Sequence, residues 1–145
     1  MAKAFGMTVT PWAPLAGGAL TGKYLKGDKG RLLETSIRLG ERAVMITKKV
    51  LEVADRLGVP PSQVAINWTR QHKGQSVIPI VGATKLSQLE EVMGCVKFEI
   101  PMEEMNVLND VSKIDLPFPQ KFFSENAVLD VLYGGVKDYM KDSRY

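Results

Sequence analysis

Two loops of this sequence combine glycines with polar side chains, and each directly follows a short apolar segment. The first covers residues 12–24 and contains Gly17, Gly18 and Lys23, and the second covers residues 79–91 and contains Gly82. Glycines let backbone N–H groups approach an anion closely, and the free N–H groups that begin a helix favour a phosphate. The two loops therefore predict a site for a phosphate-bearing ligand.

Few side chains are suited to catalysis. His72 is the only histidine, and it lies at a predicted helix end where a cation suits the helix dipole, so a structural role is expected. No lysine–histidine arrangement accompanies Tyr24, Tyr133 or Tyr139 in the sequence, and one cysteine cannot form a cysteine-rich metal site. We therefore assign no catalytic residue and no metal site to this chain.

The composition is that of a globular domain, with 145 residues, 45% hydrophobic and 24% charged. A net charge of +3 without blocks of like charge argues against a nucleic-acid partner. The lone Cys95 is expected to be a small buried residue, and the absence of a disulfide fits a reducing compartment. No signal pattern and no apolar run of roughly 20 residues is present, so we expect a cytoplasmic protein without a membrane partner.

Hydrophobic periodicity predicts four helices in the body of the chain. The first ends at Gly58, the second opens at Pro61, the third follows Thr84 and the fourth follows Pro101. The residues expected to face inward are, in chain order, Ala43, Ile46, Val50, Ala54, Leu57, Val64, Ala65, Trp68, Leu86, Leu89, Val92, Met105, Leu108 and Val111. A further helix is predicted over residues 125–132.

Two strands are predicted, over residues 6–12 and 76–81, and the second is a continuous apolar run typical of a strand buried on both faces. Strands that alternate with helices indicate a parallel α/β architecture. Two parallel strands cannot shield their own edges or cover both faces of a sheet, so association through these edges is expected. The sequence therefore predicts a piece of a larger fold.

The loop motifs resemble those of the aldo-keto reductase family. The resemblance is carried by Trp12-Ala13-Pro14-Leu15, Thr21-Gly22-Lys23-Tyr24, Asn67-Trp68, residues 77–84, Gln88-Leu89-Glu90-Glu91 and the ending from Tyr133-Gly134-Gly135. It covers essentially the whole chain. It implies that residues 1–145 are a single partial domain, the C-terminal portion of a (β/α)₈ TIM barrel that supplies the last two βα units and the tail.

The resemblance also implies a cofactor, NADP(H), with NAD(H) as the alternative. Trp12 would stack on the nicotinamide, and Leu15 with the backbone near it would contact the pyrophosphate, where Lys23 would supply charge. Arg31 would close over the cofactor phosphates, and Ala13 is implied as a further cofactor-binding residue. The other implied cofactor-binding residues are Gly82 and Thr84 at the adenosine 2′-phosphate, and Gln88 and Glu91 at the adenine. Ala13, Thr84 and Val92 depart from the serine, arginine and asparagine that many members have there, which leaves the choice between NADP(H) and NAD(H) open.

The family reduces aldehydes or ketones with a tyrosine acid, a lysine, an aspartate and a histidine. All four would lie on segments that precede Met1, so the full-length parent is expected to be an oxidoreductase and this chain alone to be inactive. Two alternatives remain: a non-catalytic nucleotide-binding or regulatory protein, and an inactive truncated gene product. Only Phe118, Phe122 and Phe123 of the tail are candidates to contact a small carbonyl substrate.

Overall fold

The computed structural model describes residues 1–30, 32–33, 35–71, 74–124, 128 and 131–134. They form two compact units, Met1–Ser112 and Lys113–Tyr145. The first unit contains four helices, α1 (Glu41–Leu57), α2 (Pro61–Arg70), α3 (Leu86–Met93) and α4 (Met102–Val111), together with the short 3₁₀ helices Ala16–Thr21, Lys23–Lys26, Ile37–Leu39 and Gly94–Lys97. The four predicted helices are thus confirmed. In the described residues, no helix is long and apolar enough to cross a bilayer.

Local sequence explains where these helices begin and end. Gly58 takes a left-handed conformation (φ 65°), and its N–H bonds the carbonyl of Ala54 at the end of α1. Pro61 occupies the first turn of α2, where backbone N–H groups have no partner within the helix. Proline therefore costs no helical hydrogen bond at this position. Glu103 and Glu104 lie in the first turn of α4, where carboxylates favour the positive end of the helix dipole.

The main core lies between α1, α2 and α4. Its buried members are Val50, Val53, Ala54, Val64, Ile100, Met105 and Leu108. A smaller cluster of Ile66, Val92 and Cys95 carries Leu15 and Val81 packed against it. This second cluster matters for the site, because Leu15 and Val81 belong to the two predicted ligand loops. The expectation that Cys95 is a buried residue is confirmed, and burial raises the pKa of its thiol.

The two predicted strands pair with each other in parallel, through isolated bridges between Val9 and Val77 and between Trp12 and Ile80. The N–H of Ile78 donates to the carbonyl of Val9 at 2.9 Å. No longer strand is present in the described part of the chain. Pro11 and Pro79 interrupt the pairing, because proline has no N–H to donate to a ladder.

The predicted burial of residues 76–81 on both faces is wrong for this chain, since Ile78 is 59% and Ile80 is 51% exposed. Only one face of this pair packs on the helices of the described residues. The prediction for α3 is also wrong in part, since Leu86 is 71% and Leu89 is 45% exposed. Only the face of α3 that bears Val92 packs against α2, so the other apolar residues of the helix stay in solvent.

The second unit contains α5 (Gln120–Ser124). The ring of Phe122 in this helix lies 6.2 Å from the ring of Phe118, which precedes the helix. Most of the helix predicted over residues 125–132, and the side chain of Phe123, lie outside the described residues. The same is true of Arg31 and His72.

An ion pair joins α1 to α4 and gives stability a specific pH dependence. Arg56 donates from Nε and Nη2 to the two carboxylate oxygens of Glu104, at 2.7 and 2.6 Å. This bond holds the pKa of Glu104 below its usual value and raises that of Arg56. The folded-state pKa of Glu104 is lowered, so the ion pair stabilises the folded chain fully at pH values above the ordinary glutamate pKa of about 4.3. This contribution to the free energy of unfolding is lost as the pH falls and Glu104 becomes protonated.

We therefore expect Glu104→Gln to flatten the acid limb of stability against pH, with the two proteins converging at low pH. Chemical denaturation at a series of pH values measures this. Glu103→Gln is the matched control, because it removes the same charge from the same helical turn. An equal effect of both substitutions would contradict a specific role for the Arg56 pair.

Candidate functional site

A cavity of about 700 Å³ opens where the two predicted loops come together. Its volume is within the usual range of roughly 300–1,000 Å³ for small-molecule sites. Eight of the nine residues predicted to bind a cofactor line it, namely Trp12, Ala13, Leu15, Lys23, Gly82, Thr84, Gln88 and Glu91. The ninth, Arg31, lies outside the described residues. The tertiary structure thus brings both loops to one site.

The backbone of the first loop is tightly turned. Ala13 and Ala16 have φ values of 55° and 52°, in the left-handed region that non-glycine residues rarely adopt, and Gly17 and Gly18 follow with 71° and 92°. The hydroxyl of Tyr24 donates to the carbonyl of Gly17 at 3.3 Å and accepts from the N–H of Leu32 at 3.0 Å. Tyr24 therefore closes the loop onto itself, a structural task.

Lys23 is held beside this turn. Its ammonium lies 4.9 Å from the centre of the Tyr24 ring, within the distance of a cation–π interaction. A Cβ atom at Gly18 would lie only 2.8 Å from Cε of Lys23, and one at Gly30 would lie 2.7 Å from its Nζ. Because neither glycine has a side chain, the side chain of Lys23 has room to extend to the cavity.

Trp12 presents a flat surface at the cavity, since the residue is 73% exposed. The guanidinium carbon of Arg38 lies 5.9 Å from the centre of its ring. Sequence reasoning missed Arg38, which lies in the 3₁₀ helix Ile37–Leu39 and could have been suspected only as one more charge near the loop. Its position places a cation against the ring of Trp12, although Arg38 itself does not line the cavity.

The second loop supplies the opposite wall. Gln88 accepts from both the N–H and the hydroxyl of Thr84 through Oε1, at 3.0 and 3.2 Å, and so closes the turn that enters α3. Val81 packs beneath this turn on the smaller core cluster. Ser62 of α2 also lines the cavity and donates its hydroxyl to the carboxylate of Glu91. Sequence reasoning did not identify Ser62, because nothing in its neighbours marks it.

The cavity is therefore a concave site lined by the exposed ring of Trp12, the ammonium-bearing side chain of Lys23 and the carboxylate-bearing side chain of Glu91. Such an arrangement can bind an elongated ligand that carries phosphates between two aromatic groups. Within the described residues, no tyrosine or histidine lines the cavity, and no group of three or more metal-ligating side chains occurs.

Residues 1–113 match the model of the aldo/keto reductase family. The chain belongs to the aldo/keto reductase family. It is similar to a protein described as "Probable voltage-gated potassium channel subunit beta" from Arabidopsis thaliana, with 36% identity over 80% of this chain and 38% of that protein. This confirms the family that the loop motifs indicated, and most of the cavity lies on residues that carry those motifs.

Two other relatives within this aldo/keto reductase group are described as enzymes. An uncharacterized oxidoreductase of Bacillus subtilis is 30% identical over 76% of this chain and 33% of its own length. Versiconal hemiacetal acetate reductase of Aspergillus parasiticus is 30% identical over 72% of this chain and 32% of its own length. The chain thus spans about a third of the length of these relatives.

Proposed function

We propose that this aldo/keto reductase chain forms the nicotinamide-dinucleotide-binding part of an oxidoreductase. The observation that carries the proposal is a cavity lined by both strand-end loops, with an exposed indole, a loop lysine and a carboxylate along it. These three groups suit, in turn, the nicotinamide, the phosphates and the adenine of NADP(H) or NAD(H).

At one end, Trp12 offers the surface on which the nicotinamide would stack, because its ring is held at the cavity and largely uncovered. Lys23 would hold the phosphates, since the glycines around it leave room for its side chain at the cavity and an ammonium binds phosphate oxygens through charge-assisted hydrogen bonds. At the other end, Gly82 and Thr84 would lie at the 2′-phosphate, and Gln88 and Glu91 at the adenine.

When bound, the cofactor would supply a hydride for reduction of an aldehyde or ketone. The residues of this chain bind and orient, and a group that protonates the carbonyl oxygen would have to come from elsewhere, because the described lining contains no tyrosine or histidine. We therefore propose that the whole enzyme is active on carbonyl compounds and that this chain alone is not.

A second candidate is a nucleotide-binding protein without catalysis. The similarity to the protein described as a potassium channel β subunit favours it. Two measurements separate these candidates, NADPH binding and aldehyde turnover, both made on this chain joined to the segments that its longer relatives carry. Binding with turnover supports the oxidoreductase, and binding without turnover supports the nucleotide-binding protein.

We expect NADPH to quench the fluorescence of Trp12 in a saturable way, with weaker binding at high salt because Lys23 acts through charge. Fluorescence titration of the folded chain, with folding checked by circular dichroism, measures this. Titration with NADH under the same conditions decides between the two cofactors. A folded chain whose fluorescence is quenched by neither cofactor would contradict the proposal of cofactor binding. Turnover of a simple aldehyde by this chain would contradict the proposal that the chain alone is inactive.

A further inference from the structure

The indole of Trp12 is held at its backbone but uncovered at its side chain. Trp12 pairs in parallel with Ile80 through a bridge between the two short strands, yet the residue is 73% exposed. An exposed side chain exchanges between rotamers on the picosecond to nanosecond timescale. A ligand that stacks on such a ring has to immobilise it, and this ordering costs binding free energy. A contact that holds the ring in the free protein therefore favours binding.

Arg38 makes such a contact. The carbon atom of its guanidinium lies 5.9 Å from the centre of the Trp12 ring, within the roughly 6 Å of a cation–π interaction. Nη1 of the same guanidinium lies 3.4 Å from the position that a Cβ atom at Gly17 would occupy. The side chain of Arg38 therefore passes close to the glycine turn of the first loop as it reaches the ring.

The segment that carries Arg38 is itself held in place. Ser36 precedes the 3₁₀ helix Ile37–Leu39, and its hydroxyl oxygen accepts from the N–H of Arg38 at 3.3 Å. At the other end of this short helix, the N–H of Gly40 donates to the carbonyl of Ile37, and α1 begins at the next residue. The short helix also packs against α1 and against the first loop. The guanidinium is thus presented to the ring from an anchored segment.

Arg38 contacts the ring from outside the cavity. Trp12 lines the cavity and Arg38 does not, so the cation meets a part of the indole that the cavity leaves to it. Lys23 differs from Arg38 in this respect, because it lines the cavity and can act on a ligand directly. The ring of Trp12 is therefore the group through which Arg38 can act on a bound ligand.

We propose that Arg38 is a positioning residue that holds the indole of Trp12 toward the cavity before a ligand arrives. It raises the affinity for the ligand by reducing the ordering that binding requires, and it does so without touching the ligand. The inference rests on the proposed function, because it requires a ligand that stacks on Trp12. A cation–π contact at an exposed site corresponds to about a 2- to 5-fold change in an equilibrium constant, which sets the size of the expected effect.

Near-ultraviolet circular dichroism tests the position of the ring without any ligand. The contribution of Trp12 is the difference between the spectra of the unmodified chain and of Trp12→Phe. We expect Arg38→Ala to lose much of this contribution while the far-ultraviolet spectrum shows that the chain is folded. Lys26→Ala is the matched control, since it removes an exposed cation from the neighbouring 3₁₀ helix Lys23–Lys26 and should keep the signal. An unchanged near-ultraviolet signal in Arg38→Ala would overturn the positioning role.

A double-mutant cycle tests whether Arg38 acts on the ligand through the ring. NADPH binding is followed by the fluorescence of its own nicotinamide in the unmodified chain, in Arg38→Ala, in Trp12→Ala and in the double variant. We expect Arg38→Ala to weaken binding about 2- to 5-fold when Trp12 is present and to have no effect when it is absent. An equal loss in both backgrounds would overturn the inference, because Arg38 would then act on the phosphates directly.

Arg38→Lys provides a conservative variant. It should recover part of the affinity and part of the near-ultraviolet signal together, because an ammonium also binds the face of an indole. Recovery of the affinity without the near-ultraviolet signal would contradict a role through the ring. Failure of the unmodified chain to bind NADPH would overturn the proposed function. Binding by the unmodified chain with the same affinity as Arg38→Ala would overturn only the present inference.

Discussion

Substitution of Leu108 by alanine is expected to lower the free energy of unfolding by about 3–4 kcal/mol. Leu108 is fully buried at 0% exposure, in the core that α4 shares with α1 and α2. The substitution removes apolar contacts and leaves a cavity that the packed helices fill only in part. A loss of this size is a large fraction of the roughly 5–15 kcal/mol that stabilises an ordinary domain.

Chemical denaturation followed by circular dichroism measures the change. Leu86→Ala is the matched control, because Leu86 is also a helical leucine but is 71% exposed, so its effect should stay within about 0.5 kcal/mol. Equal effects of the two substitutions would mean that α4 does not pack as the structure describes.

Substitution of Trp12 by alanine is expected to weaken NADPH binding roughly 10-fold or more, because stacking of a ring on an aromatic side chain contributes about 1–3 kcal/mol. Folding should be nearly unaffected, since Trp12 is 73% exposed and its cation–π contact with Arg38 is at the surface. Titration followed by the fluorescence of NADPH itself measures the affinity without the lost indole.

Trp12→Phe should retain most of the affinity, because a smaller ring still stacks. Ile37→Ala is the control for a general effect of removing an exposed apolar side chain near the loop, since Ile37 is 93% exposed. An unchanged NADPH affinity in Trp12→Ala would place the nicotinamide elsewhere and contradict the proposed orientation of the cofactor.

The helices could be predicted from the sequence because their determinants are local. The spacing of Val50, Ala54 and Leu108 predicted which helical faces are buried, and Gly58 and Pro61 predicted where α1 ends and α2 begins. Each of these features acts within a few residues along the chain, through periodicity, a left-handed glycine or a missing N–H.

The strands show where this reasoning fails. The apolar run at residues 76–81 predicted burial on both faces, yet Ile78 and Ile80 are largely exposed. A strand is buried only by neighbours that are distant in sequence, and composition does not say whether those neighbours are present. Leu86 and Leu89 were mispredicted for the same reason, since an apolar helical face is buried only where another element covers it.

By itself, the sequence determined the family, the four helices and which two loops carry the ligand-binding residue types. The tertiary structure decided which of these residues meet: it placed eight of them around one cavity, added Ser62 and set Arg38 over Trp12. The loop motifs were recognisable because a tight turn and a phosphate contact need particular residues at close spacing. The place of Ser62 in the cavity wall was not recognisable, because it depends only on the packing of α2 against α3. That packing brings Ser62 to Glu91, which is 29 residues away in the sequence.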